Sequence, residues 1–413
     1  MSRSIAVVGA GQAGLQLALG LVSEGFEVRL VTDRSGDDIR NGRVLSTQCI
    51  FATALQAERD LGANLWESEC PQIHGIRYSV GMPDGTLAVQ FAGKLDAYAQ
   101  SVDQRLKMPG WIDLLEDRGG TIDYHPVDSD YAEELAVQHD LVVIASGKGE
   151  FARELATIFR RIDAESPYDR PQRELAVAYV HDMEPLDPPS CFSISIVPKL
   201  GEYFVGPALS VSGPCWTMCL EAIPGGPMDV FRDASLDDGD AWLRLCTSVL
   251  EHFFPWEAER CARIRLTDEK GTLKGALTPV VRERVGRLRS GALVLGVGDA
   301  VVLNDPLVGQ GANNAAKGAT LVARELAVRG DGVYDEEFLR HVGDLYLERV
   351  RWSTRFTNMM LNPPRHVGDI FEAGAQSPAF ADVLANGTNE PATLFPWLET
   401  REGVRQYLEH VVA

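Results

Sequence analysis

The stretch Gly9-Ala10-Gly11-Gln12-Ala13-Gly14 sets three glycines at the spacing of a pyrophosphate-binding turn. Gly9 permits the tight turn, Gly11 lets backbone approach a diphosphate, and Gly14 allows a helix to pack closely on the preceding strand. Ala13 lies inside the turn. Asp33, 19 residues beyond Gly14 and followed by Arg34, is placed to accept from a ribose hydroxyl. A glycine turn without a ligand is the bland alternative, disfavoured because a strand precedes this turn and a helix follows it. A second stretch has the same texture: Gly298-Asp299 closes an apolar run, Asp305-Pro306 follows, and then Gly309-Gln310-Gly311-Ala312-Asn313. No Ser-His-Asp arrangement or paired-carboxylate constellation stands out. Cys215 and Cys219 admit packing or a metal, and packing is favoured because no His or Cys stands nearby at zinc-like spacing. His74, His125 and His181 read as structural or surface residues. No metal is expected.

These residues need elements to position them. Ile5 to Val8 form an apolar run, and Leu15, Leu17, Ala18, Leu21 and Val22 then recur at near-helical spacing up to Gly25. EVRLVTD follows as a strand ending at Asp33, so the chain opens on the first half of a dinucleotide-binding unit. GIRYSV and LAVQFAG, broken by MPDG, predict a hairpin within 72–92, and a helix containing VDQRLKMPGWIDLLEDRGG follows. LVVIA at 141–145 is a buried strand ending in Ser146-Gly147-Lys148-Gly149. From about 171 to 230, short Pro- and Gly-bounded strands predict an antiparallel sheet. Residues 239–265 turn helical, GALVLGVGDA is a second buried strand, and a helix runs from about Gly311 to Val328. Helices fill 335–413 with a break at Asn362-Pro363-Pro364.

Composition narrows the class. The length implies two domains, and 45% hydrophobic with 24% charged residues is ordinary for a globular protein. No apolar run has membrane-spanning length, and the first strand begins too early for a signal peptide. Seven scattered cysteines suit a reducing cytoplasm. A net charge of −20 opposes binding to nucleic acid or an anionic membrane.

The Gly298-Asp299, Asp305-Pro306 and Gly309-Gln310-Gly311 pattern resembles the flavoprotein monooxygenases of the aromatic hydroxylase superfamily. That resemblance implies FAD. The Asp of the Gly-Asp pair would bind the ribityl chain, Pro306 would lie beside the isoalloxazine ring, and the helix opened by Gly311, Ala312 and Asn313 would face its pyrimidine end. It also brings Arg43 and Arg105 towards the diphosphate, although each also reads as a surface charge. Single-chain members carry an Asp-Gly motif after the strand that here runs into Ser146-Gly147-Lys148-Gly149. The departure matches one family: VVGAGQAGLQLALGL, VTDR, RVLST, VDQRL, LGVGDA, DPLVGQGANNA and RWSTRFTN are similar to the styrene and indole monooxygenases along almost the whole chain. The resemblance implies reduced FAD delivered by a separate NADH-dependent reductase, and oxygen transfer from O₂ through a flavin C4a-hydroperoxide to an aromatic alkene. Such chemistry asks the protein for positioning and water exclusion, with no acid or base of its own.

Leu45, Ser46, Gln48, Ile73 and Ile76 lie in segments that align with the family's pocket positions, with Pro306 at the ring, and Ile50 suits an apolar pocket wall. Ser46, Gln48, Ile73 and Ile76 look like the indole-type pattern, with styrene also accepted because an apolar slot discriminates poorly between flat aromatics. Epoxidation of indole at C2–C3 would lead through an indoxyl to indigo. Gln48 either accepts the indole N–H or satisfies nearby backbone. The rivals are a self-sufficient NAD(P)H aromatic hydroxylase and a non-catalytic flavin-binding redox protein. The expected fold is α/β: a Rossmann-type FAD-binding fold of the aromatic hydroxylase superfamily, with an inserted antiparallel β-sheet substrate domain and C-terminal helices. Its expected parts are residues 1–170 (with the 72–100 hairpin lent to the substrate domain), 171–270 for substrate, 271–330 returning to FAD, and 331–413 helical. A homodimer is admitted; the sequence does not set the oligomeric state.

Overall fold

A computed structural model of the chain describes residues 3–147 and 151–411, so Lys148 and Gly149 of the turn after LVVIA lie outside the described residues. The opening strand, Ser4–Val8, has Ile5 to Val8 at most 2% exposed. A strand apolar on both faces belongs inside a parallel sheet. It pairs in parallel with Glu27–Thr32 on one side and Leu141–Ile144 on the other. Thr121–Tyr124 extends the sheet past Glu27–Thr32, and Leu293–Gly296 extends it past Leu141–Ile144, both in parallel. Val285–Arg287 adds an antiparallel edge, making six strands. The helices Gln12–Ser23 and Gly311–Arg329 pack together so closely that a Cβ on Gly20 would stand 3.0 Å from that of Ala323.

A second, eight-stranded sheet runs in the order Arg265–Leu266, Glu174–His181, Gly213–Ala222, Gly201–Ser210, Cys191–Val197, Gln72–Gly81, Leu87–Gln100, with Thr272–Ala276 also paired to Glu174–His181. The strands of 171–230 pair antiparallel as expected, and the sheet becomes mixed only where the hairpin joins it, because Gln72–Gly81 and Cys191–Val197 run in parallel. The hairpin arrives from the first part of the chain, and its neighbour returns only after a long crossover, which is the connection a parallel pair requires. The boundary expected at 271 also moves, since Thr272–Ala276 still belongs to this sheet.

The helix Gly239–Phe253 lays Trp242, Cys246, Val249, Leu250 and Phe253 on one face of that sheet against Val205, Met218 and Leu220. The Trp242 indole donates to the Val177 carbonyl at 3.0 Å. Alternate residues of Gly213–Ala222 point the other way, where Cys215 and Cys219 join Val44, Tyr179 and Ala208. Both cysteines pack as small apolar groups, and burial raises both thiols, Cys215 to about 12. Among the described residues no cluster of His, Cys, Asp or Glu is arranged to hold a metal.

The outer strand Leu87–Gln100 is an edge that would invite pairing. The helix Pro378–Asn389 covers it: Asp382 accepts from the Lys94 N–H at 2.7 Å, and the Asn386 side chain accepts from Asp96 at 2.9 Å and donates to Lys94 O at 3.0 Å. The helix Glu336–Leu361 stops before Pro363, and His366–Gln376, Pro378–Asn389 and Arg401–Val411 complete the C-terminal layer. No described helix is long and apolar enough to cross a membrane.

A Cβ on Gly14 would stand 1.8 Å from the carbonyl oxygen of Gly9. Gly14→Ala must therefore push the first helix off its strand, and we expect a loss of about 3 kcal/mol or outright misfolding. Urea unfolding of the purified variant measures it, and a midpoint equal to wild type would contradict the packing described here.

Candidate active site

Three loops meet at the carboxyl ends of adjacent parallel strands, where open α/β sheets bind their ligands. Backbone bonds stitch them: Gly9 N to Val31 O at 2.8 Å, Ala145 N to Val8 O at 2.8 Å, and Val297 N to Ile144 O at 2.9 Å. Gly9 turns with φ +113°. A Cβ on Gly147 would lie 2.3 Å from that of Asp299, so the Ser146-Gly147 backbone rests directly on the Gly298-Asp299 loop. The Gly298 N–H donates to the buried Tyr346 hydroxyl at 2.8 Å.

Around this junction the backbone is open. A Cβ on Gly11, Gly309 or Gly311 would meet none of the described residues within 4 Å. Among the described residues no N-cap side chain bonds to the first N–H groups of Gln12–Ser23 or Gly311–Arg329. Each helix start thus presents backbone donors and a positive dipole end, suited to an anion. Asp33 and Arg34 are exposed just past Glu27–Thr32, 3.7 Å apart as an ion pair. Two uncapped helix starts beside open glycine backbone, with an acid at the next strand's end, fit a dinucleotide.

The second helix start is built rigidly. Asp305 Oδ1 accepts from the Leu307 N–H at 3.1 Å and fixes the turn Pro306–Val308. Gln310, 1% exposed, donates to Thr388 O at 2.8 Å. Asn313 does the most: its Oδ1 accepts from Phe51 N at 2.9 Å, and its amide donates to Cys49 O at 2.9 Å and Gly309 O at 3.2 Å. That one side chain ties the 49–51 segment to the glycine turn. Ala312 packs against Ile50 with Ala316.

The expected pocket residues divide among several neighbourhoods. Ile73 and Ile76 share a cluster with Cys49, Phe51, Tyr78 and Ala99. Three residues apart, they would face opposite sides of a regular strand, but a register shift between Ile73 and Gly75 returns both to one face. Ile50 packs apart from them, against Ala54, Leu55 and Ala316. Leu45 borders the core of the first sheet, and the Ser46 carbonyl accepts from the Tyr179 hydroxyl at 3.0 Å. Gln48 donates to Val102 O at 2.7 Å and accepts from Gln104 at 3.3 Å, so its amide N–H is spent on backbone. Pro306 is half-buried at the rim.

The two arginines differ. Arg43 donates to Thr272 Oγ1 at 2.5 Å and lies 3.9 Å from Asp237, reaching to the second sheet. Arg105 is 1% exposed, donates to both Asp268 oxygens at 2.9 Å and to Asp103 at 2.9 Å. A diphosphate there would meet two carboxylates, so the expected role for Arg105 is withdrawn; it holds the 103–105 helix start to the Asp268 turn.

Sequence reading missed the buried acids near the Pro306–Val308 turn. Glu202 and Glu221 stand directly opposite on neighbouring strands, and Asp305 adds a third carboxyl. No signal at the level of spacing could have found them, because the register of Gly201–Ser210 on Gly213–Ala222 and the packing of the 305 turn bring them together.

A family model described as a styrene monooxygenase A substrate binding domain matches residues 147–260, and one described as pyridine nucleotide-disulphide oxidoreductase matches residues 3–161. A styrene monooxygenase StyA from Pseudomonas fluorescens is 32% identical over 416 residues, covering 98% of each chain, and a StyA from a Pseudomonas sp. matches equally. Among solved structures, a flavoprotein/dehydrogenase from Cytophaga hutchinsonii has a TM-score of 0.70 at 12% identity over 100% of this chain and 99% of its own. The flavin-dependent brominase Bmp2 has a TM-score of 0.63 at 15% identity, covering 99% of this chain and 100% of its own. These structural likenesses bear out the α/β fold with its dinucleotide-binding unit.

Asn313→Ala would leave the buried Phe51 N–H and Cys49 carbonyl without partners. We expect a loss of about 2–3 kcal/mol, read from the denaturation midpoint, with poorer retention of ligand in the same variant. An unchanged midpoint would mean that the 49–51 segment is held by other contacts.

Proposed function

The chain belongs to the styrene monooxygenase family, and from that premise we propose that it is a flavin-dependent epoxidase of aromatic alkenes acting on indole at C2–C3, with styrene accepted as well. The observation that carries the flavin reading is the pair of uncapped helix starts set against open glycine backbone. Gly9, Gly11, Ala13 and Gly14 would cradle the diphosphate, Asp33 with Arg34 the adenosine ribose, and Asp299 the ribityl chain. Gly309 to Asn313 would face the ring, with Pro306 beside it. When bound and reduced, FAD would supply the two electrons that activate O₂, one atom of which goes to the substrate and the other to water.

The chain's own residues have a positioning task. Asn313 and Gln310 lock the ring-side turn, and the helix start offers N–H groups to negative charge near it. Ile73, Ile76, Cys49 and Phe51 form a buried apolar wall that excludes water and holds a flat substrate by burial alone. An electron-rich C=C bond attacks the activated oxygen itself, so no side chain need act as nucleophile. Electrons come, in this reading, from a separate NADH-dependent flavin reductase. The Ser146-Gly147 turn on Asp299 supports that reading, as it stands where single-chain relatives carry Asp-Gly.

The indole preference rests on Ser46, Gln48, Ile73 and Ile76. The Gln48 carbonyl oxygen accepts one long bond, at 3.3 Å from Gln104, and we assign it the remaining acceptor role towards the indole N–H.

An aerobic assay with FAD, indole and NADH, run without and then with a generic flavin reductase, tests the whole reading. We expect indole loss and blue indigo only when the reductase is present. Turnover on NADH alone would place a nicotinamide site in this chain and overturn the two-component part. Gln48→Val tests substrate choice: indole turnover should fall about tenfold more than styrene turnover, the worth of one hydrogen bond. Equal loss on both substrates would remove Gln48 from recognition.

A further inference from the structure

Below the turn that presents Pro306, three carboxyls share one guanidinium. Glu202 and Glu221 are cross-strand partners, each buried, on Gly201–Ser210 and Gly213–Ala222. Like charges directly opposite in a sheet repel. Arg173 relieves only one of them: its Nε and terminal nitrogen donate to the two Glu202 oxygens at 2.6 and 2.9 Å, and its remaining nitrogen donates to Gln172 O at 2.9 Å. Glu221, 2% exposed, receives only a weak thiol contact from Cys219 at 3.9 Å among the described residues, where its Oε2 has no partner. Asp305, also 2% exposed, uses Oδ1 on the Leu307 N–H, while its Oδ2 is likewise unpartnered. The charged and titratable groups felt by these two acids are Arg173, Glu202, Cys219 and, on the side of Asp305, Tyr168.

Full ionisation would put three negative charges against one positive charge in a place closed to water. Two carboxyls in such a setting cannot both give up their protons cheaply. We propose that Glu221 and Asp305 hold one proton between them at neutral pH, and that this proton fits the site to reduced flavin, since its loss would set a second uncompensated negative charge beside the anionic reduced ring. Glu221 and Asp305 are positioning residues in this account. The coupling to flavin rests on the placement of the ring at Pro306 given above, whereas the held proton rests on the acid cluster alone. The directions of titration agree with it. Burial, then the charges of Asp305 and Glu202, push Glu221 well above the usual carboxylate range, and burial pushes Asp305 up to about 6.

Two measurements test this. The first is the infrared carbonyl band of a protonated carboxylic acid in the flavin-free protein at about pH 7.5, well above ordinary carboxylate titration. It is expected in wild type and lost in Glu221→Gln; a wild-type spectrum without the band, or one that the substitution leaves unchanged, overturns the held proton. The second is the ratio of dissociation constants for reduced and oxidised FAD, measured anaerobically between about pH 6 and 9, with free flavin titration cancelled by comparing proteins. In wild type the ratio should turn against reduced flavin by up to about tenfold per pH unit once the held proton leaves, relative to Glu221→Gln, in which Asp305 ionises alone and that second ionisation is removed. Parallel profiles in wild type and Glu221→Gln overturn the coupling. Should Glu221→Gln fail to fold, Asp305→Asn, which keeps the acceptor for Leu307 and leaves Glu221 a single acid without its charged neighbour, takes its place: the band should then vanish at a lower pH than in wild type, and an unchanged band overturns the shared proton. Failure of either flavin form to bind at any pH would count against the flavin reading and the coupling with it, and the infrared band would still decide the proton.

Discussion

The contact between Gly14 and the carbonyl of Gly9 fixes where the first helix begins, and with a missing Cβ that would otherwise lie 1.8 Å from that oxygen it tolerates no side chain. Because the turn is this tight, the helix start points its N–H groups past the end of Ser4–Val8 instead of into the core. The neighbouring loops follow from the same geometry. Ala145 bonds to Val8, Val297 bonds to Ile144, and Gly147 lies flat on Asp299. The parallel sheet therefore delivers three loops to one place, and the helix Gly311–Arg329 packs on the first helix to bring a second uncapped start beside it.

What links this frame to the second sheet is polar. Asn313 reaches from the glycine turn to the backbone of Cys49 and Phe51, and Tyr179 reaches from the second sheet to Ser46. Arg105 joins Asp103 to Asp268 in the same manner. Directional bonds of this kind add little net stability, but each fixes one orientation, and an unpaired group at any of them would be costly. The apolar wall of Ile73, Ile76, Cys49 and Phe51 is thereby held at a set position relative to the Pro306 turn. In the proposed epoxidation, where the protein would contribute placement and dryness, such fixing would be the catalytic task.

The acids beneath Pro306 show the opposite economy. A sheet that faces apolar neighbours rarely carries two opposed glutamates, yet Glu202 and Glu221 are both buried and only Glu202 has a guanidinium. Arrangements that work against local stability in this way concentrate at functional sites.

The sequence by itself determined the parts whose signal is local. Gly9, Gly11 and Gly14 between a strand and a helix, the Gly298-Asp299 end of a buried strand, and the hairpin of 72–100 were legible because steric demand and apolar period act over neighbouring residues. The break at Asn362-Pro363-Pro364 was legible for the same reason. Tertiary structure alone decided the rest. The bulge between Ile73 and Gly75 turns two isoleucines to one face, Thr272–Ala276 stays with the second sheet, and Arg105 is spent on two aspartates. The Glu202, Glu221 and Asp305 cluster exists only through strand register and the packing of one turn. Charge pairing and register depend on which distant segments meet, and no spacing along the chain encodes that.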